Sequence, residues 1–216
     1  MSKRLCFLVN GSVVEEQYID FNFVKGLSFE QKVKCANSLA QAIKERYPNL
    51  KHLEVSTKSS NELGKQLSAF NLKYGPYSVE SVFQSSKVFE GGVRFNFLID
   101  YKPIDAKKYV KENRQGNLIK FSFDGVDYPI DPKSAFYDWI YINALDKSKY
   151  ASEVLEYDVF SDIEFNDKKS INCQARAVAL YVSICRSNKK EYYLSSFDNF
   201  KELYKTTIGE QMSLFS

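Results

Sequence analysis

Glu80, Gln84 and Lys87 are the residues of this chain whose types and spacing best fit chemistry. They lie in the stretch from Gly64 to Glu90, GKQLSAFNLKYGPYSVESVFQSSKVFE. Ser78 is a good N-cap, Gly75-Pro76 just before it is turn chemistry, and Gly91-Gly92 closes the run. The spacing therefore predicts a short helix from Ser78 to those glycines. At about 100° per residue the three polar side chains fall within about 60° of one another. Val79, Val82, Phe83, Val88 and Phe89 cover the rest of the circumference, and a helix apolar on nearly all sides is a buried helix. A buried acid, amide and amine on one face have two explanations. They line a cleft, where the carboxylate can move protons and burial lowers the lysine pKa, or they form an ion pair that only holds packing. Spacing leaves both open.

A second set of polar groups sits between residues 158 and 186. The pattern predicts a helix over 170–186, rich in small residues (Cys173, Ala175, Ala177, Ala179) and apolar all round. Asn172, Arg176 and Ser183 share one stripe of it, and buried polar groups must be satisfied by partners or by a ligand. Lys58 lies in the Ser-rich turn Lys58-Ser59-Ser60-Asn61. There it either holds a phosphate with backbone NH groups or is a solvated loop lysine.

These groups need a scaffold. Residues 5–9 and 17–24 flank the Asn10-Gly11 turn and read as a hairpin. Ser28 caps a helix over 29–47 with Val33, Ala36, Leu39, Ala40 and Ile43 as its buried stripe, and Pro48 stops it. A strand over 53–56 and a helix over 62–69 lead into the central stretch. After it come a strand over 93–99, a charged helix over 106–112, and a hairpin, 118–123 with 126–130, around Asp124-Gly125. Helices follow over 133–145, with Trp139 in the core, over 149–157, and over 197–204 before a loose end. Strands in runs argue α+β: a mostly helical body with a small, largely antiparallel sheet. No G-x-G-x-x-G follows a strand, which disfavours a doubly wound fold. Three units are expected: a hairpin-plus-helix elaboration over 1–50 packed on the core, a catalytic domain over 51–205, and a loose tail over 206–216.

Composition sets the outer limits. A chain of 216 residues, 44% apolar, can bury one sizeable core. Thirty basic and 27 acidic residues leave a net charge of +3, too little by itself to argue nucleic-acid binding. Cys6, Cys35, Cys173 and Cys185 have no C-x-x-C spacing and read as buried free thiols of a reduced cytoplasm. His52 is the only histidine, so neither a metal site nor a Ser-His or Cys-His pair is expected. No apolar run is long enough to span a membrane and no signal peptide is visible, so the expectation is a soluble, cytoplasmic protein.

Residues 67–70 (LSAF), then Tyr77-x-x-Glu80-x-x-x-Gln84-x-x-Lys87 with Ser78 before the acid, resemble the NADAR superfamily signature. There an LS-x-F segment precedes S-x-E-H-x-x-Q-A-x-K on a helix; Ser81 and Ser85 stand here for the His and Ala. Residues 121–129 (FSFDGVDYP), 136–144 (FYDWIYINA) and 158–176 (DVFSDIEFNDKKSINCQAR) resemble its DarT-associated antitoxin branch.

The resemblance implies an NADAR-like fold and cleavage of N-glycosidic bonds in ADP-ribosyl substrates, with no cofactor. For this branch it implies removal of ADP-ribose from guanine in single-stranded DNA, reversing a partner DarT-type toxin. Breaking a ribose C1–nitrogen bond develops an oxocarbenium-like cation, which a buried carboxylate such as Glu80 can stabilise. Lys87 then either holds charge or, with its pKa lowered, attacks the opened sugar as a nucleophile. Gln84 and Asn172 are candidates for ribose hydroxyls, and Phe70 or Tyr77 for stacking on a base. Ser68, in the LS-x-F segment, joins the substrate-binding set with Lys58 and Arg176. The resemblance carries over Asp162, Glu164 and Asn172 as cleft residues. The alternatives are an N-glycosidase of small nucleotide or riboflavin-pathway intermediates, and a non-catalytic antitoxin that only binds the toxin.

Overall fold

A computed structural model describes residues 2–213, with side chains described through Lys205. Strands β1 (Ser2–Asn10) and β2 (Val13–Phe21) form the hairpin expected at the N-terminus, turning at Gly11, whose φ of 58° suits a residue without Cβ. The alternation of β1 feeds two cores. Leu5, Phe7 and Val9 point into the principal one, while Cys6 and Leu8 meet Ile19, Phe21 and helix α1 (Phe29–Arg46) on the other face. Ser28 caps α1 by accepting from the Gln31 amide, and the Gln31 side chain accepts from Ser28 N, a capping box worth about 1 kcal/mol.

β1 is an interior strand of a four-stranded sheet ordered β2-β1-β9-β3, where β3 is His52–Glu54 and β9 is Val159–Ser161. Segment 1–50 thus supplies part of the central sheet. β9 runs antiparallel to β1 and parallel to β3. Helix α2 (Glu62–Gln66) lies against β3, and Gly64 makes that approach possible: a Cβ there would sit 2.0 Å from the Glu54 carbonyl oxygen. The β4 (Lys73–Tyr74) and β5 (Tyr77–Ser78) hairpin leads into α3 (Val79–Ser85). A second sheet joins β6 (Lys87–Phe89), β7 (Leu118–Phe123) and β8 (Val126–Tyr128), all antiparallel. Asp124 and Gly125 turn the last pair with φ of 51° and 74°, as a tight hairpin requires. Between β6 and β7 stands α4 (Pro103–Asn113). Helices α5 (Ala135–Asp146), α6 (Gln174–Arg186), α7 (Lys190–Leu194) and α8 (Phe197–Ser213) complete the body. Ala175, Ala177, Val178 and Ala179 of α6 are all buried in the principal core, where α6 packs against α5 and β1. The fold is α+β, helix-rich with small, mostly antiparallel sheets, as expected.

Several local expectations are corrected. The central helix ends at Ser86, and residues 87–89 are strand. Ser85 and Ser86 both donate their hydroxyls to the Val82 carbonyl, and the chain then pairs with β7 through Lys87↔Phe121. Residues 93–99 form no strand; Gly91 and Gly92, at φ 71° and 77°, turn the chain back, and Asn96–Asp100 is a 3-10 turn. The helix expected over 149–157 is a 3-10 turn at Glu153–Glu156. α6 begins at Gln174, because Asn166 closes a turn over the residues before it by accepting from Lys169, Ser170 and, with its side chain, Lys168. The polar stripe at Asn172, Arg176 and Ser183 is therefore broken at its first member. α8 extends through Ser213, so residues 206–213 are helical where a loose tail was expected, and 214–216 lie outside the described residues.

Candidate functional site

Although Lys87 leaves the helix, it rejoins the stripe. Its ammonium donates to Gln84 Oε1 at 2.7 Å, and Gln84 Nε2 donates to Glu80 Oε1 at 2.8 Å. An amide has one acceptor end and one donor end, so it fits between an amine and a carboxylate in a single orientation. Acid and amine are thereby joined through Gln84 without an ion-pair contact within 4.0 Å of each other. Ser78 positions α3 by accepting from Ser81 N, and the Glu80 amide is held by the Ala69 carbonyl at 2.9 Å. The Lys87 ammonium also lies 4.5 Å above the centre of the Phe83 ring.

Electrostatics favour a reactive amine. Burial lowers the Lys87 pKa to about 8; Glu80 pulls it up, while Lys107 and Arg114 push it down. Lys107, on α4, places its ammonium 3.7 Å from Glu80 Oε1 and 5.8 Å from the centre of the Phe70 ring. Tyr137, fully buried beside α3, stays protonated because of burial and the neighbouring Glu80 charge. Phe70, Glu80, Gln84, Lys87 and Lys107 thus form one contiguous group.

A second group contains the other acidic candidates. Asp162 is buried, and its Oδ1 accepts from Glu164 N at 2.9 Å. Glu164 is shared by Lys32 at 2.8 Å and Lys58 at 3.4 Å, and the Lys58 ammonium also covers the Phe29 ring at 4.7 Å. Next to them stands Glu54, which accepts from the hydroxyls of Ser56 and Ser161 and from Ile163 N. Burial raises the pKa of both Glu54 and Asp162, and the Glu54 charge raises Asp162 further. His52 donates to or accepts from Ser161 at 2.8 Å, and burial drops its pKa to about 4, so the imidazole is neutral.

Gln174 joins the two groups. Its Oε1 accepts from Ala69 N at 2.8 Å, and its side chain also hydrogen-bonds Asp162. Ala69 therefore receives from the Glu80 amide on one side and gives to Gln174 on the other. Ser68 is buried beneath it and accepts from Phe70 N at 3.3 Å, which sets the Phe70 turn. Three other candidates stand apart. Arg176 pairs with Asp138 on α5, which also accepts from Tyr204. Tyr77 packs in the β4–β5 hairpin against the principal core, and Asn172 is half-buried in the loop before Cys173. Sequence reasoning missed Lys107, Gln174 and Glu54. Lys107 carried no signal among the charges of its helix, and a buried Glu at the end of the 52–54 strand was the one trace of Glu54.

Two surface hollows lie elsewhere. One of about 420 Å³ is lined by Asp146, Tyr181, Cys185 and Lys190, and one of about 580 Å³ by Arg4, Tyr18 and Asp167. Neither includes a residue of the Glu80 group, whose assignment rests on its hydrogen bonds and charges. Among the described residues no three His, Cys, Asp or Glu side chains are grouped to hold a metal ion, and no helix is long and apolar enough to cross a membrane.

An α+β fold of this kind, over nearly the whole chain, belongs to the NADAR class of domains. The chain belongs to the DarT1-associated NADAR antitoxin family, whose model matches residues 2–213. No curated protein matches it.

Proposed function

We propose that this protein is an ADP-ribosyl hydrolase that removes ADP-ribose from guanine bases in DNA by N-glycosidic cleavage, acting as antitoxin to a DarT-type DNA ADP-ribosyltransferase. The observation that carries the reading is the relay from Glu80 through Gln84 to Lys87, with the lysine pKa brought to about 8. At that value about a tenth of the amine is neutral at pH 7.

In this reading Lys87 Nζ attacks the ribose carbon that bears the guanine nitrogen, and the carbon–nitrogen bond breaks. The Glu80 carboxylate stabilises the cationic character at that carbon and carries the proton lost by the amine to the departing guanine. The sugar ring opens to an imine on Lys87. Water then hydrolyses the imine, releasing ADP-ribose and restoring the amine. Gln84 orients the two groups, Lys107 faces the diphosphate, and Phe70 stacks on a base. Asp162, Glu164, Lys58, Ser68, Tyr77 and Asn172 belong to the same proposal as surrounding substrate contacts, while Arg176, committed to Asp138, is left out of it.

The test is incubation with single-stranded DNA carrying ADP-ribosylated guanine. Free ADP-ribose and restored guanine are expected, and unchanged substrate would sink the hydrolase reading. Borohydride added during turnover should fix a sugar adduct on the peptide carrying Lys87. An unmodified peptide, together with an active Lys87→Arg variant, would reduce the lysine to an electrostatic role. A toxin-binding antitoxin needs neither side chain, so protection of cells by both Glu80→Gln and Lys87→Ala variants would favour that reading instead.

A further inference from the structure

The charge of this chain is unevenly placed. Residues 94–114 carry six basic side chains against three acidic ones, so this one segment matches the net +3 of the whole chain. It consists of the 3-10 turn Asn96–Asp100 and helix α4. Beneath it lies a small closed core of Phe89, Leu98, Ala106 and Val110, with Phe95 and Tyr109 packed against it. Phe97 and Tyr101 are left outside, 47% and 45% exposed. Their rings meet each other edge-on, 5.6 Å apart at 65°, and each also meets Tyr109 while keeping close to half of its surface exposed. Single exposed apolar side chains are ordinary, but paired rings beside the lysines of α4 are a patch.

Helix geometry relates this patch to the site. Lys107 and Tyr109 are about 200° apart around α4, hence on opposite flanks. On one flank Lys107 reaches Glu80 and Phe70. On the other, Tyr109 packs against Phe95 and Phe97 at 5.4 Å each. The exposed crest between them carries Ile104, Lys108 and Lys111, at i, i+4 and i+7, with Asp105 and Glu112 at its edge and Glu112 3.9 Å from the Lys108 ammonium. The turn is also tied to the site's own helix, because Ser81 donates to the Tyr101 carbonyl at 3.0 Å.

We propose that a single-stranded nucleic acid crosses α4, its phosphates on Lys108 and Lys111 and its bases stacked on Phe97 and Tyr101. This rests on the proposed hydrolase only for the modified nucleotide, which then enters on the Lys107 flank beside Glu80. A helix with its side chains is about 10–12 Å across, a width that a few extended nucleotides span. Aromatic faces accept any base, and lysines follow the backbone, so the surface is sequence-tolerant and salt-dependent. It prefers single strands because a duplex keeps its base faces covered.

The test is binding of a labelled, unmodified single-stranded oligonucleotide and of its duplex, with no hydrolysis needed. The wild type should prefer the single strand. Phe97→Ala with Tyr101→Ala should weaken that binding about tenfold or more. Phe97→Leu with Tyr101→Leu keeps apolar volume, so a similar loss there shows that the rings and not the fold are responsible. Lys108→Gln with Lys111→Gln should lower the slope of log affinity against log salt by about 1.4. Release of ADP-ribose from an isolated ADP-ribosylated guanosine should be unchanged in all these variants, while release from an oligonucleotide falls. Wild-type affinity and salt slope in the variants would overturn the surface, as would normal oligonucleotide binding with loss of a toxin complex. Ring-dependent binding by a protein that releases no ADP-ribose would uphold the surface and remove the hydrolase reading alone.

Discussion

Glu80 and Asp138 are both carboxylates on buried helices with a cation nearby, yet the two regions are built to opposite ends. Asp138 is fully buried and closed by direct contact: Arg176 from α6 and Tyr204 from α8 both reach the same oxygen, Oδ2. Burial still raises the Asp138 pKa against the pull of Arg176. That triad clamps three helices and leaves the arginine committed. At Glu80 the amine is held one amide away, and the nearer cation, Lys107, is an exposed side chain of α4. A carboxylate in direct contact with an amine holds it in the charged, non-nucleophilic form. Separated by Gln84, the Lys87 amine has no direct carboxylate contact to hold its proton, and burial lowers its pKa to about 8.

The largest effect is expected at Glu80. Glu80→Gln keeps shape and the hydrogen bond to Gln84 in altered form, so it should leave the thermal midpoint nearly unchanged. Turnover should fall by about 10²–10⁴, the range for a lost acid–base group. A variant that turns over normally would make the Glu80 region a second clamp. Asp138→Ala should do the reverse. It leaves Arg176 half-buried without its partner, and should cost about 3–5 kcal/mol of stability in denaturant melts. Residual folded protein should keep its turnover; a stable Asp138→Ala protein without activity would move Asp138 into the chemistry.

The sequence showed the first region and hid the second. The i, i+4, i+7 spacing of Glu80, Gln84 and Lys87 picked out three side chains that do form one relay, although the helix stops at Ser86. The reason is local: two serines bonding back to Val82 and a β-strand partner at Phe121 both act beyond any periodicity. The hairpins at Gly11 and Asp124-Gly125 were legible because their turns demand positive φ. Strand β9 was not, since three residues of Val-Phe-Ser carry no period. Arg176 looked available because its pairing with Asp138 spans 38 residues of sequence. Lys107 and Gln174 were invisible for the same reason: their partners, Glu80 and Phe70 for one and Ala69 N for the other, lie far away in sequence.

The pH dependence sharpens the contrast further. Only a neutral Lys87 amine is nucleophilic, so turnover should rise as pH climbs through about 8 and level off above it. Lys107 helps hold that pKa down, so in Lys107→Gln the rising limb should shift to higher pH. At pH 7 that variant should therefore lose rate beyond whatever it loses in substrate affinity. A limb that stays in place, or a profile flat between pH 7 and 9, would separate Lys87 from the rate-limiting step.

Gln174 is expected to give the smallest effect and the one most specific to geometry. It touches no group that changes bonds; it accepts from Ala69 N, and Ala69 in turn holds the Glu80 amide. Gln174→Met keeps volume and removes the acceptor, leaving the Ala69 amide unpaired at a cost of about 1–3 kcal/mol. A merely structural role would stop there, with the surviving folded enzyme unchanged in kcat and in pH profile. If Gln174 positions the turn, kcat should drop several-fold in fully folded protein, because Phe70 and Glu80 both hang from Ala69 and misplacement by a fraction of an ångström is felt in the rate. KM should move with it only through Phe70. Gln174→Glu separates the two accounts. It restores an acceptor for Ala69 N but sets a second acid against Asp162, whose pKa burial already raises. A kcat that approaches the wild-type value at the same pH on the acid side, where that pair shares a proton, and falls away from it as pH rises, would mark Gln174 as a positioning residue. Equal rates in the Met and Glu variants across the range would leave it as packing alone.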